Sequence, residues 1–377
     1  MTRRERLMAT LRGEPVDRPA VSFYEIGGFA VDPDDPDPFN VCNDPSWRPL
    51  LQLAEEKTDL IRMRSPIRRD PPGSPREKFF KTINWEEGDS RFTRVEIHVA
   101  GHVLTQINRR DRNVATSWCL EHFLKTKDDV LAYLELPDEI FAHEVDVTPL
   151  IEEDQRIGDR GIVMVDTGDP ICSAALLFSM EDYTVFAFTE RELFHRLLQK
   201  LARPLWAITE TVAREFPGHL WRIYGPEYDG EPYLPNHLFE EYVVRYTQPM
   251  VKSIRRHGGF PRLHCHGRIR NLLPHFIRMG ATATDPVEPP PQGDIGLAEV
   301  RQNYGKDLVL FGNLECSHIE VKSPKEFEKI CAQSIRDGTA GKGKGFVLMP
   351  SAAPYGRTIT PSTMANYETM ARLVERF

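Results

Sequence analysis

Residues 262–285 read RLHCHGRIRNLLPHFIRMGATATD and contain, in one short stretch, the unit from which the chain is built. A β-like run covers Arg262–His264, an amphipathic helix is predicted over Ile269–Met279, and a second β-like run covers Thr282–Asp285. This order of strand, helix and strand is typical of a βαβ unit, whose two strands pair in parallel.

The same alternation recurs along the chain and predicts the fold class. No Gly-x-Gly-x-x-Gly follows the first strand, so the dinucleotide-binding fingerprint of many open doubly wound sheets is missing. We therefore predict an α/β fold, a (β/α)8 TIM-type barrel that forms a single domain over residues 1–377. The other predicted strands are Ala20–Phe23, Ile162–Val165, Leu220–Tyr224, Leu308–Phe311 and Phe346–Met349, and the other helices are Glu190–Ala202 (interrupted at Pro204), His237–His257, Pro324–Arg336 and Pro361–Arg376.

Three segments depart from this alternation. Val31–Asp44 is rich in Asp and Pro, which predicts a surface loop. Residues from about 66 to about 125 fit no βα period, and we interpret them as an insertion with a hairpin around Phe92–Ile107. The glycine-rich run Gly341–Gly345 precedes a strand and lacks the spacing of a phosphate-binding loop, so we interpret it as a surface turn.

The composition limits the partners and the compartment. A net charge of −8 leaves no basic excess for binding nucleic acid. No apolar run is long enough to cross a membrane, and the N-terminus lacks the apolar segment of a signal peptide. Six cysteines in a chain of 377 residues do not make a disulfide framework. We expect a cytoplasmic protein that binds neither nucleic acid nor a membrane.

A candidate metal site follows two of the predicted strands. His264 and His266 are two residues apart, so in an extended strand both side chains lie on one face. Cys316 follows the strand Leu308–Phe311 and would reach the same rim of a barrel. Two His and one Cys form a three-ligand zinc set that leaves one position for a substrate. Two alternatives stay open: the three residues are ordinary buried groups, or Cys265 replaces His266 as a ligand.

Carboxylates and aromatic residues near the same rim are candidate catalytic and binding groups. Glu288 lies in a loop with four prolines, where it could be a fourth ligand, a hydrogen-bond acceptor from a ligand histidine, or an exposed acid. Tyr224 and Tyr228 are candidate walls for a flat substrate, with Glu227 between them as an orienting or acid–base group. Asp166 would line the same mouth. A plain structural turn is the alternative reading of residues 224–228.

Three further motifs resemble one known superfamily. The N-terminal run Arg4–Pro19 reads RERLMATLRGEPVDRP, and the C-terminal part contains FVLMP (Phe346–Pro350) followed by ITPSTMAN (Ile359–Asn366). Between them, Gly312-Asn313-Leu314 is similar to a recurrent Gly-Asn-hydrophobic element. These motifs resemble the uroporphyrinogen decarboxylase superfamily over both ends and most of residues 160–377, and least over 30–150. The resemblance implies a barrel with an N-terminal helical extension, residues 1–19.

The superfamily has two branches, and this chain is more similar to one of them. True decarboxylases carry an arginine-rich N-terminal segment, whereas the corresponding Ser22–Phe29 reads SFYEIGGF without arginine. Zinc methyltransferases that act with a corrinoid protein carry a motif similar to His-x-Cys…Cys. His264 matches the histidine, His266 stands at the first cysteine, and Cys316 matches the second. A neutral histidine in place of a thiolate leaves zinc more electrophilic, which suits an oxygen substrate.

The resemblance therefore implies an enzyme that moves a methyl group from a methylated substrate, best an aromatic methyl ether, to the cobalt of a corrinoid protein. Zinc and the corrinoid are the expected cofactors, the latter on the partner protein. The alternatives are a decarboxylase, a methylcobamide:thiol methyltransferase, and a non-catalytic barrel that binds a tetrapyrrole. The sequence leaves the oligomeric state open, with a homodimer as one option.

Overall fold

A computed structural model describes all residues, 1–377. In chain order the strands are β1 (Ala20–Val21), β2 (Leu60–Arg64), β3 (Ile67–Arg69), β4 (Phe80–Glu87), β5 (Ser90–Val99), β6 (His102–Asp111), β7 (Ser117–Glu121), β8 (Glu144–Asp146), β9 (Gly161–Gly168), β10 (Leu220–Tyr224), β11 (Phe260–His264), β12 (Ala283–Asp285), β13 (Val309–Leu314) and β14 (Phe346–Pro350). The α-helices are α1 (Arg3–Arg12), α2 (Trp47–Lys57), α3 (Arg76–Phe79), α4 (Lys127–Leu134), α5 (Thr148–Ile157), α6 (Pro170–Ala175), α7 (Met180–Thr189), α8 (Arg191–Glu215), α9 (Arg245–Arg256), α10 (Leu273–Met279), α11 (Leu297–Tyr304), α12 (Cys316–Val321), α13 (Pro324–Thr339) and α14 (Pro361–Val374).

Eight parallel strands form the predicted barrel. The neighbours run in the order β1-β14-β13-β12-β11-β10-β9-β2, so the barrel strands follow one another around the ring as they do along the chain. The ring closes between β1 and β2 at Asp59, whose amide donates to the Val21 carbonyl over 2.8 Å. The Val21 amide in turn donates to the Asp59 carboxylate over 2.9 Å. The α/β barrel expected from the sequence is confirmed.

One barrel strand, β2, was not predicted from the sequence. Its residues, Leu-Ile-Arg-Met-Arg, carry two arginines where a buried parallel strand normally carries apolar side chains. The structure accommodates Arg62 by pairing its guanidinium with Glu153, 3.3 Å away, and with Glu55. These carboxylates belong to the helices that flank the strand, so the sequence of the strand itself does not indicate that its arginines are paired.

The helix α1 closes the lower end of the barrel. Thr2 and Glu5 form a reciprocal capping box at its start, and Gly13 ends it with φ 73°, a value that favours glycine. Leu7 and Leu11 are buried among the lowest inward-facing residues of the barrel strands. Access to the interior is therefore left to the opposite end, where the strands end at their carboxyl termini.

The segment between β2 and α5 folds largely as antiparallel sheet. The predicted hairpin is present, because Phe92–Ile107 lies within β5 and β6, which pair in antiparallel register around Ala100-Gly101. With β4 and β7 these strands form a four-stranded sheet, while β3 pairs with β8. We refer to residues 80–121, which contain the four-stranded sheet, as the insertion sheet.

The helix predicted to stop at Pro204 instead continues to Glu215. A proline inside a helix removes one hydrogen bond and crowds the preceding turn. Here the buried stripe of Leu197 and Leu201 continues beyond the proline through Ile208 and Val212, so burial outweighs the local cost. No helix of the structure is long and apolar enough to span a lipid bilayer.

Candidate metal centre and barrel mouth

The carboxyl ends of the barrel strands bring the candidate residues to one rim. His264 is the last residue of β11, and its Cα partners in the neighbouring strands are Tyr224 of β10 and Asp285 of β12. Paired residues in a parallel sheet point to the same face, here into the barrel. Catalytic groups of this fold class gather at this end.

Asp285 fixes the orientation of His264. One carboxylate oxygen lies 2.7 Å from His264 Nδ1, and the other lies 2.9 Å from Nε of Arg262, a fully buried arginine. Burial alone would raise the pKa of Asp285, but the attraction of Arg262 and the bond to His264 lower it below the ordinary value. Because the carboxylate occupies Nδ1, Nε2 is the ring nitrogen of His264 that remains for another partner.

Glu288 holds His266 in the same way. Its Oε1 lies 2.8 Å from His266 Nδ1, and its Oε2 accepts the Gly267 amide over 2.6 Å. Burial disfavours the charged forms of both residues. The hydrogen bond and the attraction between them outweigh burial, so the pKa of His266 is raised and the pKa of Glu288 is lowered. The backbone between the two carboxylates is strained, because Val287, a buried β-branched residue, has φ 53°.

The two imidazole rings lie close together at the mouth, with the edge of one directed at the other. Their centroids are 4.6 Å apart and their planes are nearly perpendicular, at 89°. Each Nδ1 is held by a carboxylate, so the two Nε2 atoms are the free ring nitrogens of the pair. This arrangement, a histidine oriented by an outer carboxylate, is the one that metal-binding histidines commonly show.

Cys316 is at the rim, but the side chains do not converge on a closed ligand set. It is the first residue of α12, its amide donates to Ser351 Oγ over 3.0 Å, and burial raises the pKa of its thiol to about 12. No three His, Cys, Asp or Glu side chains in the structure are arranged to hold a metal ion. The histidine pair fits two zinc ligands by donor type and orientation, and a third donor would have to be drawn in.

Cys265 points to the opposite side of β11. It is buried within the large apolar cluster that separates the strands from the outer helices. Burial raises the pKa of its thiol well above the ordinary value. In this arrangement Cys265 is a packing residue, as the two-residue period of a strand requires when its neighbours face inward.

Tyr224 and Asp166 line a cavity of about 470 Å³ that extends to Cys172 of α6 and Leu205 of α8. The Tyr224 ring lies over Gly168, where an added Cβ would come within 3.1 Å of Cε2. Asp166 accepts two hydrogen bonds from Arg222, at 2.6 and 3.0 Å. The lining of this cavity is largely polar, with Arg68 at its edge.

Glu227 and Tyr228 lie in the turn that follows β10. Glu227 Oε2 accepts the amide of Gly225 over 3.2 Å. The Tyr228 ring packs against Tyr183 and Tyr233, at centroid distances of 6.4 and 6.3 Å, and does not line the cavity beside Tyr224. Of the two tyrosines, only Tyr224 lines this cavity.

Several residues of the mouth were not singled out from the sequence. Tyr24 stacks near His264, with ring centroids 5.9 Å apart, and Arg262 supports Asp285 from below. Glu315 is buried; its Oε1 accepts from Ser351 Oγ, while its Oε2 has no partner. Asp285 ends a predicted strand and Glu315 follows one, and this position could have marked both as candidates for the mouth. No local sequence pattern indicated Tyr24 or Arg262.

Comparisons with known proteins concern most of the chain. Residues 121–377 match the family model described as uroporphyrinogen decarboxylase (URO-D). A methyltransferase from Methanosarcina mazei has a similar structure, with a TM-score of 0.61 at 14% identity, covering 100% of this chain and 99% of that chain. This likeness concerns the fold.

A D-psicose 3-epimerase is much less similar, with a TM-score of 0.34 at 12% identity, covering 66% of this chain and 86% of that chain. No curated protein matches the sequence. The motif Arg4–Pro19 lies outside the residues that match the family model.

Proposed function

Because this chain belongs to the uroporphyrinogen decarboxylase family, we propose that it is a zinc-dependent methyltransferase of that family. Its donor is an aromatic methyl ether, and its acceptor is the cobalt of a corrinoid carried by a partner protein. The similarity of the fold to that of a methyltransferase supports the reaction class.

The observation that carries the proposal is the pair His264 and His266. Their rings are 4.6 Å apart, and each Nδ1 is bound to a carboxylate at 2.7 or 2.8 Å. A carboxylate on Nδ1 is the arrangement that commonly orients a metal-binding histidine, and here it occurs twice. The pair lies at the open end of a barrel whose other end is closed by α1.

In this proposal His264, His266 and Cys316 would hold Zn²⁺, and Glu288 would orient His266 through its Nδ1. A bound zinc ion would supply Lewis-acid stabilisation to the ether oxygen as negative charge develops on it. The chain's own contribution is orientation, because Asp285 and Glu288 bind the two Nδ1 atoms and leave the two Nε2 atoms for the metal.

The reaction balances without a proton donor. The bond between the methyl carbon and the ether oxygen breaks, its electron pair leaves with the oxygen as phenolate, and cobalt(I) donates the pair that forms the new methyl–cobalt bond. A phenol has a pKa of about 10, so phenolate is a poor leaving group at neutral pH. Tyr224 would contact the reacting end of the donor from the strand next to His264.

Glu227, Asp166 and Tyr228 have supporting roles in the proposal. Glu227, in the turn after β10, accepts only the Gly225 amide and would orient the donor or accept a proton from a phenolic substituent. Asp166 keeps Arg222 neutralised beneath the donor. Tyr228 acts through packing, since its ring contacts Tyr183 and Tyr233.

A spectroscopic assay of cobalt methylation tests the proposal. Reduced corrinoid is mixed with the zinc-loaded protein and with methoxybenzenes, methylamines or methyl thiols as donors. We expect methylation with the ethers alone. Methylation confined to amines or thiols would remove the ether assignment, and a zinc-loaded protein inactive with every donor would remove the methyltransferase.

A further inference from the structure

We propose that the aromatic ring of the donor binds in a second cavity, between the β1 and β14 ends of the mouth, and that this cavity selects donors without a negative charge. This proposal rests on the proposed function, because it takes the ligand of the cavity to be the methyl donor. Binding of that ligand can be measured without turnover. We call this cavity the ring cavity.

The ring cavity has the size and lining of a site for a flat apolar molecule. It encloses about 510 Å³, within the roughly 300–1,000 Å³ of small-molecule sites. Phe39 and Trp47 form buried parts of its wall, while Phe29 and Tyr355 at its edge are 40% and 59% exposed. Sites for small molecules are lined mainly by hydrophobic and aromatic side chains of this kind. A larger share of the ring cavity's lining residues is hydrophobic than in the cavity next to Tyr224, so an aromatic ring would meet more apolar side chains here.

Two short backbone links connect the ring cavity to the histidine pair. Glu25 lines the cavity and directly follows Tyr24, whose ring lies 5.9 Å from that of His264. On the other side, Ala353 lines the cavity, and its amide donates to Glu25 Oε2 over 3.4 Å. Ser351, two residues earlier, holds the amide of Cys316. The residues that line the cavity are therefore chain neighbours of residues that contact His264 and Cys316.

The insertion sheet builds part of the cavity wall. Its Ala115 lines the cavity and donates its amide to the Tyr355 carbonyl over 2.7 Å, and the Arg357 amide donates to Asn113 over 3.0 Å. Arg110 of β6 lines it too and donates to the carbonyl of Phe39 over 2.8 Å. The segment that interrupts the βα alternation thus shapes a site on the barrel mouth.

The loop Val31–Asp44 supplies the opposite wall and its charge. Asp32, Asp35 and Asp37 line the cavity with Glu25, against the single cation Arg110. Arg91 neutralises Asp37 through two hydrogen bonds, at 2.9 and 3.1 Å. The remaining acids leave the cavity net negative. Repulsion of this kind selects against anionic ligands, so a methoxybenzoate should bind more weakly than an uncharged methoxybenzene.

The first experiment fills the cavity from an exposed position. The variant Ala115→Trp places an indole in the ring space, and Ser117→Trp is the matched control, exposed on the same sheet but outside the lining. Binding of veratrole, an uncharged dimethoxybenzene, is measured by calorimetry on the zinc-loaded protein without corrinoid. We expect at least about tenfold weaker binding for Ala115→Trp and no change for the control. Equal binding by wild type and Ala115→Trp overturns the assignment.

The second experiment changes the charge. Asp32→Asn combined with Asp35→Asn removes two negative charges, while each amide oxygen can still accept the local backbone bond that the acid accepts now. Asp34→Asn, an acid that pairs with Arg48 outside the lining, is the control. We expect veratrate, the carboxylate analogue of veratrole, to bind roughly threefold better to the double variant, with a smaller gain at high salt. Tighter binding of veratrate than veratrole by the wild type overturns the charge selection.

These measurements separate the ring cavity from the proposed reaction. Veratrole binding that Ala115→Trp abolishes, in a protein that methylates no cobalt, supports the cavity and removes the function. Cobalt methylation with an unchanged KM in Ala115→Trp supports the function and removes the cavity. Loss of veratrole binding in Tyr224→Ala, with full binding in Ala115→Trp, places the ring against Tyr224 and also overturns the assignment.

Discussion

Asp285 places one carboxylate oxygen 2.7 Å from Nδ1 of His264 and the other 2.9 Å from Nε of Arg262. The aspartate and the arginine are both inaccessible to solvent. Asp285 thus orients His264, and the negative charge of Asp285 is balanced by Arg262, two residues before His264 in the same strand. Glu288 holds His266 without such a cation, so the two acids allow a matched comparison.

We predict that Asp285→Asn and Glu288→Gln both weaken zinc binding, by about 10- to 100-fold, because each histidine loses the acceptor that orients it. Asp285→Asn should also lower the free energy of unfolding by about 3–5 kcal/mol, since Arg262 is left as an unpaired buried charge. Glu288→Gln should cost much less. Chelator competition and urea unfolding measure the two effects, and unchanged zinc affinity in both variants would contradict the orienting role.

Cys316→Ser should reduce zinc binding severely, because a hydroxyl is a poor substitute for a soft thiolate. The wild-type protein is expected to carry about one zinc per chain, the content of one three-ligand site. Cys265→Ser is the matched control, since Cys265 is buried on the other side of β11. Metal analysis after dialysis distinguishes them, and full occupancy in Cys316→Ser would exclude that cysteine as a ligand.

The protein should not decarboxylate uroporphyrinogen. Ser22–Phe29 contains no arginine, and the arginines inside the barrel, Arg222 and Arg262, are already bound to Asp166 and Asp285. A substrate with eight carboxylates would therefore find no unpaired cation at these inward-facing positions, and Arg68 at the cavity beside Tyr224 would balance only one carboxylate. Formation of coproporphyrinogen at an enzymatic rate, followed by chromatography, would overturn this prediction.

Removing the metal should slow methyl transfer more for some donors than for others. Ethers whose parent phenol is more acidic than an ordinary phenol, with a pKa of about 10, release a more stable phenolate and need less electrophilic help. The ratio of zinc-loaded to chelated rates should therefore shrink as the phenol becomes more acidic. Single-turnover rates of cobalt methylation across a donor series measure it, and a constant ratio would place the metal away from the leaving oxygen.

Asp169 should make stability fall as pH rises. It caps α6 from a fully buried position, and burial raises its pKa to about 8, despite the bond from the Cys172 amide. The unfolded chain loses this proton near a pH of about 4, so between about 4 and about 8 only the folded state keeps it, and stability declines.

Asp169→Asn keeps the capping oxygen but does not titrate. Its free energy of unfolding should therefore improve relative to wild type across that pH window and then level off. Urea melts of both proteins at several pH values test the slope, and parallel curves would show that Asp169 is ionised throughout.

The amino-acid sequence determined the barrel and the local geometry of the histidine pair. The βα alternation and the two-residue period of β11 depend on neighbours in the chain, so they were predictable, as was the loop that delivers Glu288. The strand β2 escaped prediction because Arg62 is accepted in it only through Glu55 and Glu153 on flanking helices.

Only the tertiary structure decided which groups face one another across the mouth. Asp285 meets His264 because closure of the whole ring sets the register of β11 against β12, and no local pattern encodes that register. For the same reason no local pattern indicated the ring cavity, which lies between a loop, the insertion sheet and the β14 end. Such walls come from segments far apart in the chain, and their contact depends on packing energy summed over the folded molecule rather than on the preferences of any one segment.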